Sequence, residues 1–164
     1  MIITVNSRFL DGPQTGVGRY IKNLYAEISR LDHENGYTFP RAGFLGRNFA
    51  GKFLFDSLFV GLSAVRSGAD IFHAPTIGLP FIKIPRIKYI LTVHDLSPFQ
   101  FPEKELKITQ NYYRFSLCRS LHLADKVIVD SEFVRKDLLK HFELPLEKIE
   151  LIYTGVEQTF FVDE

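Results

Sequence analysis

The sequence predicts an α/β domain of the doubly wound kind, a parallel sheet with helices on both faces. Three observations carry this reading. Short β-branched or continuously apolar runs alternate with segments of helical period, no two runs are joined by a two-residue hairpin turn, and Gly- or Pro-containing loops follow the runs. The chain has 164 residues, 46% of them hydrophobic, with 20 Lys and Arg against 19 Asp and Glu. That composition can bury a core, and it excludes both global disorder and a polybasic nucleic-acid arm.

Ile2 to Val5 is the first strand, followed by the turn Asp11-Gly12-Pro13-Gln14-Thr15-Gly16. Val17, Tyr20, Ile21, Leu24, Tyr25, Ile28 and Leu31 then recur at steps of three and four, one stripe of a helix that Asn35-Gly36 stops. From residue 36 to Gly51 the chain is Gly-rich, and only Tyr37-Thr38-Phe39 resembles a strand, so the sheet is expected to lack its second strand or to form it poorly. Phe53, Leu54, Leu58, Leu62 and Val65 mark a second helical face ending at Ser67-Gly68. Asp70 to His73 and Ile87 to Val93 are the next strands, the latter apolar enough to be buried on both sides. Pro98 and Pro102 frame a loop, and Glu103 to Leu123 is a long helix with Tyr113, Leu117 and Leu121 on one face. Val127 to Val129 follows, then a helix capped by Ser131 that carries Val134, Leu138 and Phe142, and a last strand from Ile149 to Ile152 closed by Thr154-Gly155.

Several function classes fall away. The single Cys118 cannot form an internal disulfide or a Cys-based zinc site, and is expected as a small core side chain in a reducing compartment. The N-terminal apolar run is too short, and lacks the leading positive charge, for a secretory signal. Phe49 to Val65 is interrupted by Lys52 and Asp56 and falls short of the about 20 residues a membrane span requires. No Gly-x-Ser-x-Gly elbow and no Asp-x-Asp pair occur, and no histidine pair has metal-site spacing, so neither a serine hydrolase nor a metal cofactor is expected.

In doubly wound sheets ligands bind beyond the carboxyl ends of the strands, where Gly12 to Gly18, His73 to Thr76, His94 to Ser97 and Asp130-Ser131 should converge. Gly16, Val17 and Gly18 open the first helix, where free amides and the positive helix end suit a phosphate; a tight turn needing positive φ explains the same glycines. His94 ends its strand beside Asp95 and points toward that crevice, whereas His73, followed by Ala74-Pro75, reads as structural. Ser131 reads first as a helix cap.

Taken together, Arg8, the Gly16-Val17-Gly18-Arg19-Tyr20 loop with Asn23-Leu24, Gly68 to Pro75, Thr92-Val93-His94-Asp95-Leu96 with Pro98 and Phe101-Pro102, Ala124 to Phe133, and Lys148-Ile149 leading to Thr154-Gly155-Val156 resemble the N-terminal half of family-4 retaining glycosyltransferases. The resemblance covers nearly the whole chain. It implies one Rossmann-like half of a GT-B fold that moves a sugar from a nucleotide-sugar donor to a glycan or lipid-linked acceptor, without a metal. It further implies that the backbone at Gly16, Val17 and Gly18 approaches the donor diphosphate, and that His94 contacts the donor sugar at the reacting centre. Asp95, with Thr76 and Ser131 in the neighbouring loops, would face the acceptor.

The chain stops at Glu164, just after the point where the second domain of that fold would begin. The expectation is therefore a single domain over residues 1–164 that needs a C-terminal donor-binding domain, in cis or as a separate chain, and is inactive alone. The alternative is a non-catalytic module of the same fold that binds an acceptor or partner. A flavodoxin-like or receiver-like domain needs an acidic cluster or flavin loop that Asp11 alone does not supply. The expected location is the cytoplasm, at the inner face of the membrane. From residue 36 to 69, Arg41, Arg47, Lys52 and Arg66 face the single acid Asp56 amid six Phe. That mixture reads first as core packing and second as a surface leaning on an anionic membrane.

Overall fold

The computed structural model describes residues 1–43, 49–100 and 107–156. Its centre is a six-stranded sheet in the order β2-β1-β3-β4-β5-β6, formed by β1 (Ile2–Val5), β2 (Gly36–Thr38), β3 (Ile71–Ala74), β4 (Lys88–Val93), β5 (Lys126–Val129) and β6 (Ile149–Leu151). Every pairing is parallel, in the registers Ile3 to Tyr37, Val5 to His73, Phe72 to Tyr89, Leu91 to Val127 and Val127 to Ile149. The connections are α1 (Gly16–Leu31), α2 (Phe49–Leu54) running through a π-helical turn at Phe55–Phe59 into α3 (Val60–Arg66), the single turn α4 (Ser97–Gln100), α5 (Lys107–Leu123) and α6 (Glu132–His141). This is the doubly wound, Rossmann-like α/β fold that the sequence predicts. The second strand forms after all: its three residues pair with β1, and Phe39 just beyond it packs against Tyr25.

The two sheet faces differ. On one, alternate strand residues Phe72, Ala74, Tyr89, Leu91, Val93, Val127 and Val129 meet Val60, Ala64, Leu117, Leu121, Val134 and Leu138 in one buried apolar cluster. On the other, Val5 packs with Ile21 and Tyr25 of α1 in a much smaller one. Ile90 and Ile128 are half-buried and belong to neither cluster. Strand alternation makes this division unavoidable, since neighbouring residues of one strand serve opposite faces.

Three expectations need correction. Leu31 closes the α1 stripe in sequence but is exposed. Around α2 and α3 the stripe read as core is the outer one: Leu54, Leu58, Leu62 and Val65 are exposed, and Phe55, Val60 and Ala64 are buried. Both faces of this segment are apolar, and the inner one is built from Phe55 and the smaller Val60, Gly61 and Ala64, so periodicity alone cannot say which stripe faces the sheet. Cys118 is exposed rather than core, because Leu117 and Leu121 define the buried stripe of α5 and Cys118 lies off it. Of the expected elements, Arg47, Phe101-Pro102 and residues 103–106 of the long helix lie outside the described residues.

Candidate functional site

All the predicted loops leave the carboxyl edge of the sheet. The N-terminus of α1 is set by Thr15, whose side chain accepts a hydrogen bond from the Gly18 amide at 3.1 Å. Gly16 and Gly18 both have helical φ, so a positive-φ turn does not explain them. Their reasons differ. A Cβ on Gly18 would stand 2.5 Å from the Phe9 carbonyl oxygen, so that position is glycine for packing against the preceding turn, whereas Gly16 faces open space. Gly16 lines a groove of about 850 Å³ between α1 and the segment after β6, with Arg19, Tyr20 and Asn23 on one wall and Tyr153, Thr154 and Gly155 on the other.

His94 stands at the end of β4 with Nδ1 3.0 Å from Asp130 Oδ2 and Nε2 3.0 Å from the Pro75 carbonyl oxygen. Both partners are acceptors, so a neutral ring donates to one of them and only the doubly protonated ring donates to both. Tyr20 meets His94 edge-on, with ring centroids 4.7 Å apart. Tyr20 therefore joins the groove to the histidine, and Gly16 and His94 share one sheet edge as expected.

Beneath them lies a buried polar chain. Burial pushes the Tyr25 phenol well above its usual range, so it remains a donor, and its hydroxyl hydrogen-bonds His73 Nδ1. The other ring nitrogen, Nε2, is hydrogen-bonded to Thr92 Oγ1 at 2.8 Å, so a neutral ring donates on one side and accepts on the other. Thr92 in turn hydrogen-bonds Tyr20, whose phenol is also raised, first by burial. His73 is buried, and burial lowers its pKa to about 3, keeping it neutral. The structural reading of His73 holds and becomes specific, because the ring is the middle of a relay that sets Tyr20 against His94.

A second network fixes the loop after β3, which supplies the Pro75 carbonyl. Asp56, 2% exposed on the π-turn, pairs with Arg8 Nη1 and accepts from Asn6 Nδ2 at 2.9 Å; Asn6 also donates to the Gly78 carbonyl at 3.1 Å. Burial raises Asp56 to about 6 against the opposing pull of Arg8. Gly78 has φ +146°, and a Cβ there would meet Asn6 Nδ2 at 2.9 Å and Asp56 Cγ at 3.1 Å, so the loop can pass only as glycine.

The remaining predicted residues occupy the same edge with internal commitments. Asp95 is exposed, and Oδ1 accepts from the Ser97 amide at 2.9 Å and hydroxyl at 2.6 Å, capping α4. Ser131 caps α6, accepting from the Val134 amide at 3.2 Å. Thr76 is half-buried in the β3 loop. Sequence reasoning missed the roles of Tyr20, named in the helical stripe and in the Gly16 to Tyr20 loop but without its contact to His94, of Asp130 as the partner of His94, and of the Asn6, Arg8 and Asp56 cluster. Asp130 carried a signal, lying at the carboxyl end of a strand adjacent to that of His94; the cluster carried none, because its members are 48 and 50 residues apart. Among the described residues no group of three or more His, Cys, Asp or Glu is placed to hold a metal ion.

The fold is a Rossmann-like α/β domain, with a groove, a helix N-terminus and a positioned histidine on the carboxyl edge, where ligands of such folds generally sit. The family model of glycosyltransferase family 4 matches residues 14–160, and the chain belongs to that family. The chain is 31% identical over 74 residues to the O-antigen chain mannosyltransferase RfbU of Salmonella typhimurium, covering 45% of this chain and 20% of the relative. It is 33% identical over 87 residues to the O-antigen chain mannosyltransferase B of Escherichia coli, covering 52% of this chain and 22% of the relative. The aligned segments thus span about a fifth of each relative's length.

Proposed function

We propose that this chain is the acceptor-side half of a retaining, metal-independent glycosyltransferase of GT-B architecture. It moves a sugar from a nucleotide-sugar donor to a glycan or lipid-linked acceptor in the cytoplasm, in concert with a C-terminal donor-binding domain in cis or as a separate chain. The names of the two relatives make mannose the first sugar to test. The observation that carries the proposal is the convergence of the open Gly16 helix end and His94 on one edge, joined by Tyr20.

In this reading the α1 N-terminus, with its partial positive charge, meets the donor diphosphate. His94, held by Asp130 and Pro75, borders the departing leaving group, and its doubly protonated form adds positive charge where negative charge develops. Asp95, Thr76 and Ser131 line the acceptor approach. The assay is transfer from guanosine diphosphate mannose to a lipid-linked acceptor with a family-4 C-terminal domain added in trans. Turnover that depends on both parts and falls about 100-fold or more in His94→Ala supports the reading; turnover unaffected by His94→Ala contradicts it.

One observation favours the second reading, a non-catalytic module: His94, Asp95 and Ser131 all spend polar atoms on bonds within the chain. Acceptor binding without turnover alongside any donor domain would select it.

A further inference from the structure

The outer wall of the thick layer is built by α2 and α3, the loop from Leu79 to Ile87, and α5. These elements pack on one another: Phe53 lies 5.5 Å from Phe81 between ring centroids, Phe81 lies 6.3 Å from Phe115, and a Cβ on Gly61 would touch Pro80 at 3.0 Å. Outward from that seam run Leu54, Leu58, Leu62 and Val65, between 39% and 50% exposed, joined by Phe81 at 40% and Ile82 at 79%. The repeat of four residues persists across the π-turn, which keeps the three leucines on one stripe. A continuous apolar ridge of this kind on a soluble surface marks an interaction site.

The charges choose the occupant. Lys52, Arg66 and Arg86 are exposed, and Lys83 is half-exposed beside Asp125. Among the described residues of these elements the only carboxylate is Asp56, which is buried on Arg8 and turned inward. The wall therefore combines large apolar side chains with positive charge and, among its described residues, offers no exposed acid. We infer that this face docks on an anionic lipid surface, the leucine ridge entering the boundary between headgroups and acyl chains while the cations meet phosphates. The contact is peripheral, since no helix of the described residues is long and apolar enough to cross a membrane. The groove is lined by α1 and the segment after β6, and none of its residues belongs to this wall, so docking leaves the site accessible. A protein partner or a second copy of the chain would bury the same leucines but would not require the positive rim.

Sedimentation of the full chain with vesicles tests the inference without donor or acceptor, so its failure leaves the transfer reading standing. The chain should pellet with equimolar phosphatidylglycerol and phosphatidylcholine vesicles and stay in solution with phosphatidylcholine alone. Leu58→Glu with Leu62→Glu should reduce the bound fraction about ten-fold. Lys52→Glu with Arg66→Glu should reduce it about five-fold and flatten its salt dependence. Both pairs lie on the exposed surface, and circular dichroism melts matching wild type confirm that each variant is folded. Folded variants that pellet like wild type, equal pelleting on neutral vesicles, or a leucine-dependent dimer that ignores lipid would each overturn the inference.

Discussion

The two faces of the sheet solve the same covering problem with different chemistry. The face under α3, α5 and α6 meets its helices through one large apolar cluster, with Phe72, Leu91, Leu117 and Leu138 fully enclosed. The face under α1 has three buried hydrophobic residues and closes instead over hydrogen bonds, from Tyr25 through His73 to Thr92. Dispersion and area burial stabilise without specifying orientation, while a satisfied buried polar chain fixes which way each ring points. The thick face therefore holds the fold and the thin face sets the site, since the chain ends on the Tyr20 ring that touches His94.

Truncation separates the two roles. Leu91→Ala on the thick face should cost about 3–4 kcal/mol in urea unfolding with no change in the His94 ring resonances that is not explained by unfolding. Asp56→Asn, which strips Arg8 of its buried anion, should cost about 2–3 kcal/mol. Unlike Leu91→Ala it should also shift the His94 imidazole signals in the folded protein, because the Pro75 loop is released. Equal effects of the two variants on His94 would erase the distinction.

Acidity sharpens it further. His73 is held near 3 in the fold against about 6.5 in the unfolded chain, so the unfolded state binds more protons between those values. Its contribution is complete above pH 6.5 and is lost as pH falls toward 3, at up to about 1.4 kcal/mol per pH unit. Asp56 runs oppositely: its carboxyl sits at about 6 in the fold, above the unfolded value, so its contribution is present below about 4 and lost as pH rises through 6. Denaturation of His73→Leu across about pH 4 to 7 should show the acid-side slope reduced, and Asp56→Asn should show it steepened.

Smaller effects belong to single bonds. Tyr25→Phe removes the hydroxyl bonded to His73 and should cost about 1–2 kcal/mol. Ser131→Ala should cost about 1 kcal/mol and leave the His94 signals unmoved, because the Ser131 hydroxyl bonds the Val134 amide and not the ring.

What the sequence reveals follows the range of the interaction. The alternation of elements, the Ser131 cap and the strand-end position of His94 are local and were legible. The wrong face at Leu54, Leu58, Leu62 and Val65 came from a helical segment with two apolar stripes, of which the one with smaller residues, Val60 and Ala64, packs inward, and it hid an exposed ridge inside an apparent core. The Arg8 and Asp56 pairing and the Tyr25 to Thr92 chain depend on segments brought together by the sheet order. Gly78 could be seen as a loop glycine, but its necessity appears only against Asn6 and Asp56.

The central claim is that ligand meets the carboxyl edge over the thin face, where the α1 N-terminus, Tyr20 and His94 adjoin. A titration of the isotope-labelled chain with guanosine diphosphate mannose, followed by amide and imidazole resonances, tests it most directly. The account predicts saturable shifts at Gly16, Val17, Tyr20 and His94, abolished by Tyr20→Ala, with Leu117 and Leu138 still. Shifts confined to the thick face, or no shift at the edge up to the solubility limit of the sugar nucleotide, would contradict it.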